Sequence, residues 1–122
     1  MNIAMKLVIG GYHAGKREFA ARQWGYAEED FSRDLQGGPL LRDAHLLLRD
    51  NPAEWQSLLP PLLEKEVVLC DEVGSGVIPL DKADRELREA VGRLTTALAA
   101  EADEVWRVCA GLGMKLKGES AT

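Results

Sequence analysis

Lys6-Leu7-Val8-Ile9-Gly10-Gly11-Tyr12-His13-Ala14-Gly15-Lys16 joins a short apolar run to a Gly-x-x-x-x-Gly-Lys loop, and this stretch decides how the rest of the chain is read. Glycines let a loop turn its backbone N–H groups inward toward an anion. The helix that follows offers its positive N-terminus, and a lysine at this place reaches the terminal phosphates of a nucleotide. The pattern is short, so its context carries the weight. An apolar strand precedes it, and Phe19, Ala20 and Trp24 continue it at helical spacing, which is the strand, loop and helix order the mechanism requires. Gly10, Gly11, Tyr12, His13, Ala14, Gly15, Lys16 and Arg17 are therefore the expected phosphate site. A Ser or Thr that ligates magnesium ordinarily follows the lysine; here the residue is Arg17.

The chain has 122 residues, enough for one domain with a real core, and we expect a single unit over residues 1–122. Its 46% hydrophobic and 29% charged residues are those of an ordinary soluble globular protein. No apolar run is long enough to span a bilayer, and Met1 to Ile9 lacks the features of a signal peptide, so no membrane is expected and a cytoplasmic location is. A net charge of −5 with scattered Lys and Arg argues against a nucleic-acid partner. Cys70 and Cys109 each lie in apolar stretches without a metal-ligand spacing and read as buried core thiols.

Strand and helix patterns alternate along the chain. Gly25 to Pro39 is polar and reads as a surface loop or lid, and Leu40 to Leu48 is apolar but broken by Arg42, Asp43 and His45. Asn51 before Pro52 reads as a helix start, with a stop expected before Pro60. Val67 to Cys70 reads as a strand covered on both faces. Asp81 to Ala102 is the strongest helix: Ala83, Leu87, Ala90, Val91, Leu94 and Leu98 share a face, and Asp81–Arg85, Asp84–Arg88 and Glu89–Arg93 are opposite charges one turn apart. Val105 to Ala110 is a last strand, and residues 113–122 read as a polar tail. Strands separated by helices predict an α/β fold with a mainly parallel sheet.

The strand Val67 to Cys70 ends in Asp71 and Glu72. An acid at the carboxyl end of a strand beside a phosphate loop holds magnesium or its water shell, because hard cations take oxygen ligands. Asp71 and Glu72 are thus candidate metal residues, with Asp43 as the rival acid, and Lys16 and Asp71 are the candidate catalytic pair. His13 reads as a loop side chain facing solvent and His45 as a hydrogen-bonded core histidine, each with a functional role as the alternative.

Asp71-Glu72-Val73-Gly74-Ser75-Gly76-Val77-Ile78-Pro79 resembles the Asn-Glu-Val-Gly-x-Gly-x-x-Pro segment of the bifunctional adenosylcobinamide kinase and adenosylcobinamide-phosphate guanylyltransferase family. The resemblance continues through Arg85, Gly92, Leu98-Ala99, Ala102-Asp103, Val105, Ala110-Gly111-Leu112 and Leu116-Lys117-Gly118. Gly10 to Lys16 is similar to the family's P-loop, and Leu40-Leu41-Arg42-Asp43 stands where the family has a strand ending in its magnesium-associated Asp. The resemblance implies a P-loop α/β fold of the RecA type in three layers and a homo-oligomer. It also implies ATP or GTP with Mg2+, and phosphorylation of the aminopropanol hydroxyl of adenosylcobinamide before GMP transfer on the route to cobalamin.

Three departures shape the expectation. Arg17 replaces the hydroxyl residue, so that acids and phosphate alone hold magnesium or the arginine substitutes for it electrostatically. Asp71 replaces the family's Asn, and no segment matches the paired histidines that carry the guanylated residue. The expected function is that of a nucleotide-binding kinase of the cobinamide type without covalent guanylyl transfer. The alternative is a nucleotide- or corrinoid-binding protein that has lost turnover.

Overall fold

A computed structural model describes residues 5–72 and 81–118. The segment Val73 to Pro79, which carries much of the family resemblance, lies outside the described residues. At the centre of the sheet is β1 (Lys6–Gly10), whose Leu7, Val8 and Ile9 are buried on both sides. It pairs in parallel with β3 (Val67–Asp71) on one flank and β4 (Glu104–Cys109) on the other. A two-residue strand, β2 (Leu40–Leu41), lies parallel against β3, and β5 (Leu112–Lys117) closes the far edge antiparallel to β4. The order is β2-β3-β1-β4-β5, the mainly parallel sheet expected of a P-loop α/β fold.

Period-2 alternation divides the buried side chains between two faces. Val8, Val67, Leu69 and Val108 pack with Phe19 and Ala20 of α1 (Lys16–Trp24). Leu7, Ile9, Val68, Cys70 and Val105 pack with Ala90, Val91, Leu94 and Leu98 of α3 (Lys82–Glu101) and with Leu62 of α2 (Leu59–Leu63). Helices on both faces make three layers. Among the described residues no helix is long and apolar enough to cross a membrane.

Several expectations are corrected. The helical segment after Asn51 does not stop before Pro60: a 3₁₀ stretch over Pro52–Leu58 runs into α2, which holds Pro60 and Pro61 in its first turn. Proline is tolerated there because first-turn N–H groups have no helical partner. Leu40 to Leu48, where the sequence does not separate strand from helix, is β2, at the place where the resemblance puts a strand, followed by a 3₁₀ segment over Ala44–Leu48. In α3, Asp81 caps the helix by accepting the Asp84 N–H at 2.7 Å, and Asp84 pairs with Arg88 at 3.2 Å as expected. Ala83, in the first turn, is exposed rather than on the buried face, which runs from the partly buried Leu87 through Ala90, Val91, Leu94 and Leu98.

The supposed polar tail is a strand through Lys117. Ala110 (φ 50°) and Gly111 (φ 78°) both take the left-handed conformation of a two-residue hairpin turn, which folds β5 back onto β4. Phe19 lies over Gly113 in that strand. Cys70 is buried as expected, but Cys109, at the end of β4 toward this turn, is exposed.

Candidate functional site

The register sets the site. Gly10 pairs with Asp71 across β1 and β3, so the loop leaves the sheet level with that carboxylate, at the carboxyl ends of the parallel strands. The loop turns through an Ala14 N–H to Gly11 carbonyl bond of 3.1 Å, and His13 (φ 59°) and Gly15 (φ 90°) are left-handed. At Gly15 this conformation leads straight into α1 and disfavours any side chain. Gly10 has a different constraint, for a Cβ there would lie 2.6 Å from the Val108 carbonyl oxygen. The β4–β5 turn braces the loop from outside: Gly111 donates to the Ala14 carbonyl at 2.8 Å, and Arg22 donates to the Gly111 carbonyl at 3.1 Å.

Lys16 is only 8% exposed and its ammonium is fully engaged. Its Nζ donates to the Gly11 carbonyl at 2.9 Å and the Gly10 carbonyl at 3.3 Å, and lies 2.7 Å from Asp71 Oδ1. Three protons meet three acceptors, so the lysine is held at the loop by groups that phosphate oxygens can replace. His45 sits on the other side of Asp71. Its Nδ1 accepts the Asp71 backbone N–H at 3.1 Å, and its Nε2 is 3.4 Å from Asp71 Oδ2. An imidazole that accepts at Nδ1 carries its proton on Nε2, here facing the carboxylate. Burial holds the His45 pKa below its ordinary value against the opposing charges of Asp71 and Asp43, so the ring is neutral at pH 7. The reading of His45 as a hydrogen-bonded histidine describes this geometry, with Asp71 as the partner.

Asp43, left-handed at φ 56°, directs its carboxylate back over the cleft, where Oδ2 lies 2.7 Å from Arg33 Nε and 3.5 Å from an Arg42 terminal nitrogen. Burial raises the Asp43 pKa, but the Arg33 hydrogen bond and charge, with His45 and Arg42, outweigh it and hold the carboxyl below the usual range. Asp43, His45 and Asp71 each bring a candidate ligand atom within 4.8 Å of one another. Glu72, expected beside them, instead pairs with Arg107 at 3.0 Å. Of the expected loop residues, Tyr12 and His13 are exposed and in ring contact, and Arg17 leans toward Glu28 at 3.6 Å.

These groups surround a cleft of about 380 Å³ lined by Tyr12 to Glu18 on one side and by Arg33, Arg42, Asp43, Leu69 and Asp71 on the other. Arg33 and Arg42 are functional candidates that sequence reasoning missed. They come from a polar segment and a broken apolar run, no motif contains them, and only their alternation with Asp43 and Asp34 hinted at an ion-paired surface.

Residues 44–116 match the family model described as cobinamide kinase / cobinamide phosphate guanyltransferase. The chain belongs to that family. Relatives include the bifunctional adenosylcobalamin biosynthesis protein CobU of Salmonella typhimurium, 45% identical over 53 residues, covering 43% of this chain and 29% of the relative. CobU of Escherichia coli is 41% identical over 68 residues, 53% of this chain and 38% of the relative. The bifunctional adenosylcobalamin biosynthesis protein CobP of Pseudomonas aeruginosa is 37% identical over 82 residues, 62% of this chain and 47% of the relative. Each match thus covers less than half the length of the relative. The family match begins at Ala44, so the P-loop and the cleft arginines stand on the geometry above.

Proposed function

We propose that this chain binds ATP or GTP through its phosphates at the Gly10–Arg17 loop and transfers the terminal phosphoryl group to the hydroxyl of a cobinamide. The observation that carries the reading is Lys16, an almost buried ammonium at the start of a helix, held by loop carbonyls and Asp71 at the mouth of a cationic cleft. Membership of a family described as cobinamide kinase supplies the acceptor class. Phosphoryl transfer needs little covalent chemistry from a protein. Positioning and neutralisation of charge on the phosphoryl oxygens account for most of the rate, and Lys16 with the neighbouring guanidiniums provides that charge.

The magnesium expected at Asp43 and Asp71 meets a donor set already used. Asp43 Oδ2 is bound by Arg33, Asp71 Oδ1 by Lys16, and Arg17 offers no oxygen. The same observation favours the second reading, binding without turnover, and phosphorylation of adenosylcobinamide by the purified chain decides between the two. The binding itself is tested by calorimetry with ATP and GTP. Lys16→Ala is expected to weaken affinity by about 1.5 kcal/mol or more, the low end for a charge-assisted hydrogen bond. No heat with either nucleotide, or equal affinity in the variant, overturns the reading.

A further inference from the structure

We infer that the cleft carries its own counter-charge, with Arg33 and Arg42 taking the phosphate oxygens of a metal-free nucleoside triphosphate where a divalent cation would otherwise bridge acids and phosphate. The inference rests on the nucleotide reading above and adds to it the ionic form of the ligand.

The acids come first. Magnesium demands several oxygen ligands in near-octahedral array and is drawn by uncompensated negative charge. In the free protein neither carboxylate is uncompensated: Arg33 and Arg42 both bear on Asp43 Oδ2, and Lys16 bears on Asp71 Oδ1; when phosphate draws Lys16 away, Asp71 keeps the His45 Nε2–H beside its other oxygen. His45 cannot complete a metal site as it stands, because its Nδ1 is occupied by the Asp71 N–H and the proton on Nε2 faces the other Asp71 oxygen. The loop hydroxyl that would contribute a further oxygen is replaced by Arg17.

The cations are placed to do the metal's work. With Asp43 between them the two guanidiniums leave one net positive charge beside the cleft, and their planar forks match phosphate oxygens. Arg33 meets Asp43 through Nε, which leaves its terminal amino groups for a second anion. Arg42 lines the cleft, and its Nε is buried without a hydrogen-bond partner among the described residues. The backbone that carries both is tied down before a ligand arrives. Ser32 accepts from the Arg42 N–H at 2.9 Å and donates its own N–H to the Leu40 carbonyl at 3.0 Å, which ties the Arg33 segment to β2. The buried Lys65 ammonium secures the same segment through the carbonyls of Leu35, at 2.6 Å, and Gly38.

Calorimetry with GTP and with ATP, each in chelator and in excess magnesium, tests the inference on the full chain. Wild-type affinity is expected to differ by less than about threefold between the two conditions. Arg33→Gln, at a largely exposed position, is expected to weaken metal-free binding by about tenfold and to create a magnesium requirement, since it leaves Asp43 with only the longer Arg42 contact. Arg42→Lys keeps the charge but loses the fork, and is expected to fall between the two. Misfolding lowers affinity in both conditions alike, so the ratio between them is the informative readout. Wild-type binding that tightens tenfold or more with magnesium, or an Arg33→Gln protein with an unchanged ratio, overturns this inference and leaves the nucleotide reading standing. No binding in either condition overturns both.

Discussion

The two thiols show how position within one sheet sets the chemistry of a residue. Cys70, on β3, is buried under α3 beside Thr95, and burial pushes its pKa up to about 11, with the nearby Asp71 charge acting in the same direction. Cys109, at the end of β4 beside the hairpin turn, is exposed. The thiolate is the reactive form, and a thiol titrating near 11 is almost wholly protonated at neutral pH. A thiol reagent at neutral pH is therefore expected to modify one cysteine per chain quickly and the second only on unfolding, with peptide mapping placing the fast site at Cys109. Fast modification of Cys70 in the folded protein would mean that the α3 face opens far more readily than its packing implies.

At the scale of elements, legibility follows periodicity. β1, α1, β3, α3 and β4 are readable because each places apolar residues at a spacing that one regular structure explains, and the loop between β1 and α1 because of its glycines and lysine. β2 is two residues long, too short for any period, and its place is set by pairing with β3 and by the Ser32 bridge. β5 has no buried residue, and its turn uses Ala110 where a hairpin ordinarily signals itself with Asn or Asp before Gly. Within the site, the P-loop residues and both aspartates were legible as motif members. Arg33 and Arg42 reach the cleft through tertiary pairing that no local spacing encodes.

The connection after α1 is also held by tertiary contact, and one of its ties is titratable. Tyr26, just beyond the Gly25 cap of α1, donates its hydroxyl to Glu66 at the base of β3, and burial, the hydrogen bond and the Glu66 charge together push its pKa up to about 12. The neutral phenol is the form the fold prefers. Its contribution is fully present below the unfolded value of about 10 and is lost as pH rises through that value toward 12. Denaturant unfolding at about pH 9 and about pH 11 is expected to show a larger alkaline loss of stability in wild type than in Tyr26→Phe. At neutral pH the variant is expected to be less stable by about 1 kcal/mol from the missing hydrogen bond. Parallel losses in both proteins would show that Tyr26 does not couple α1 to β3.

The whole molecule carries a net charge of −5, yet the cleft gathers Lys16, Arg17, Arg33 and Arg42 against Glu18, Asp43 and Asp71. Concentrating cations in a concave site on an acidic surface focuses their field on a small anion in the cleft. The same layout bears on guanylyl transfer. A covalent GMP intermediate on histidine requires an imidazole nitrogen free to attack phosphorus, and the chain has two histidines. His45 directs both ring nitrogens at Asp71, one accepting its N–H and the other facing its carboxylate, so neither is presented to the cleft as a nucleophile. His13 is exposed at the cleft mouth in ring contact with Tyr12, on the loop proposed to hold phosphates, and no described carboxylate orients it as a base. Incubation of the 122-residue chain with GTP is accordingly expected to leave the intact mass unchanged, with no acid-labile adduct. A mass increase of one guanylate mapped to His13 or His45 would show that this chain performs the guanylyl transfer named in the description of its family, and that the histidine geometry described above rearranges once nucleotide is bound.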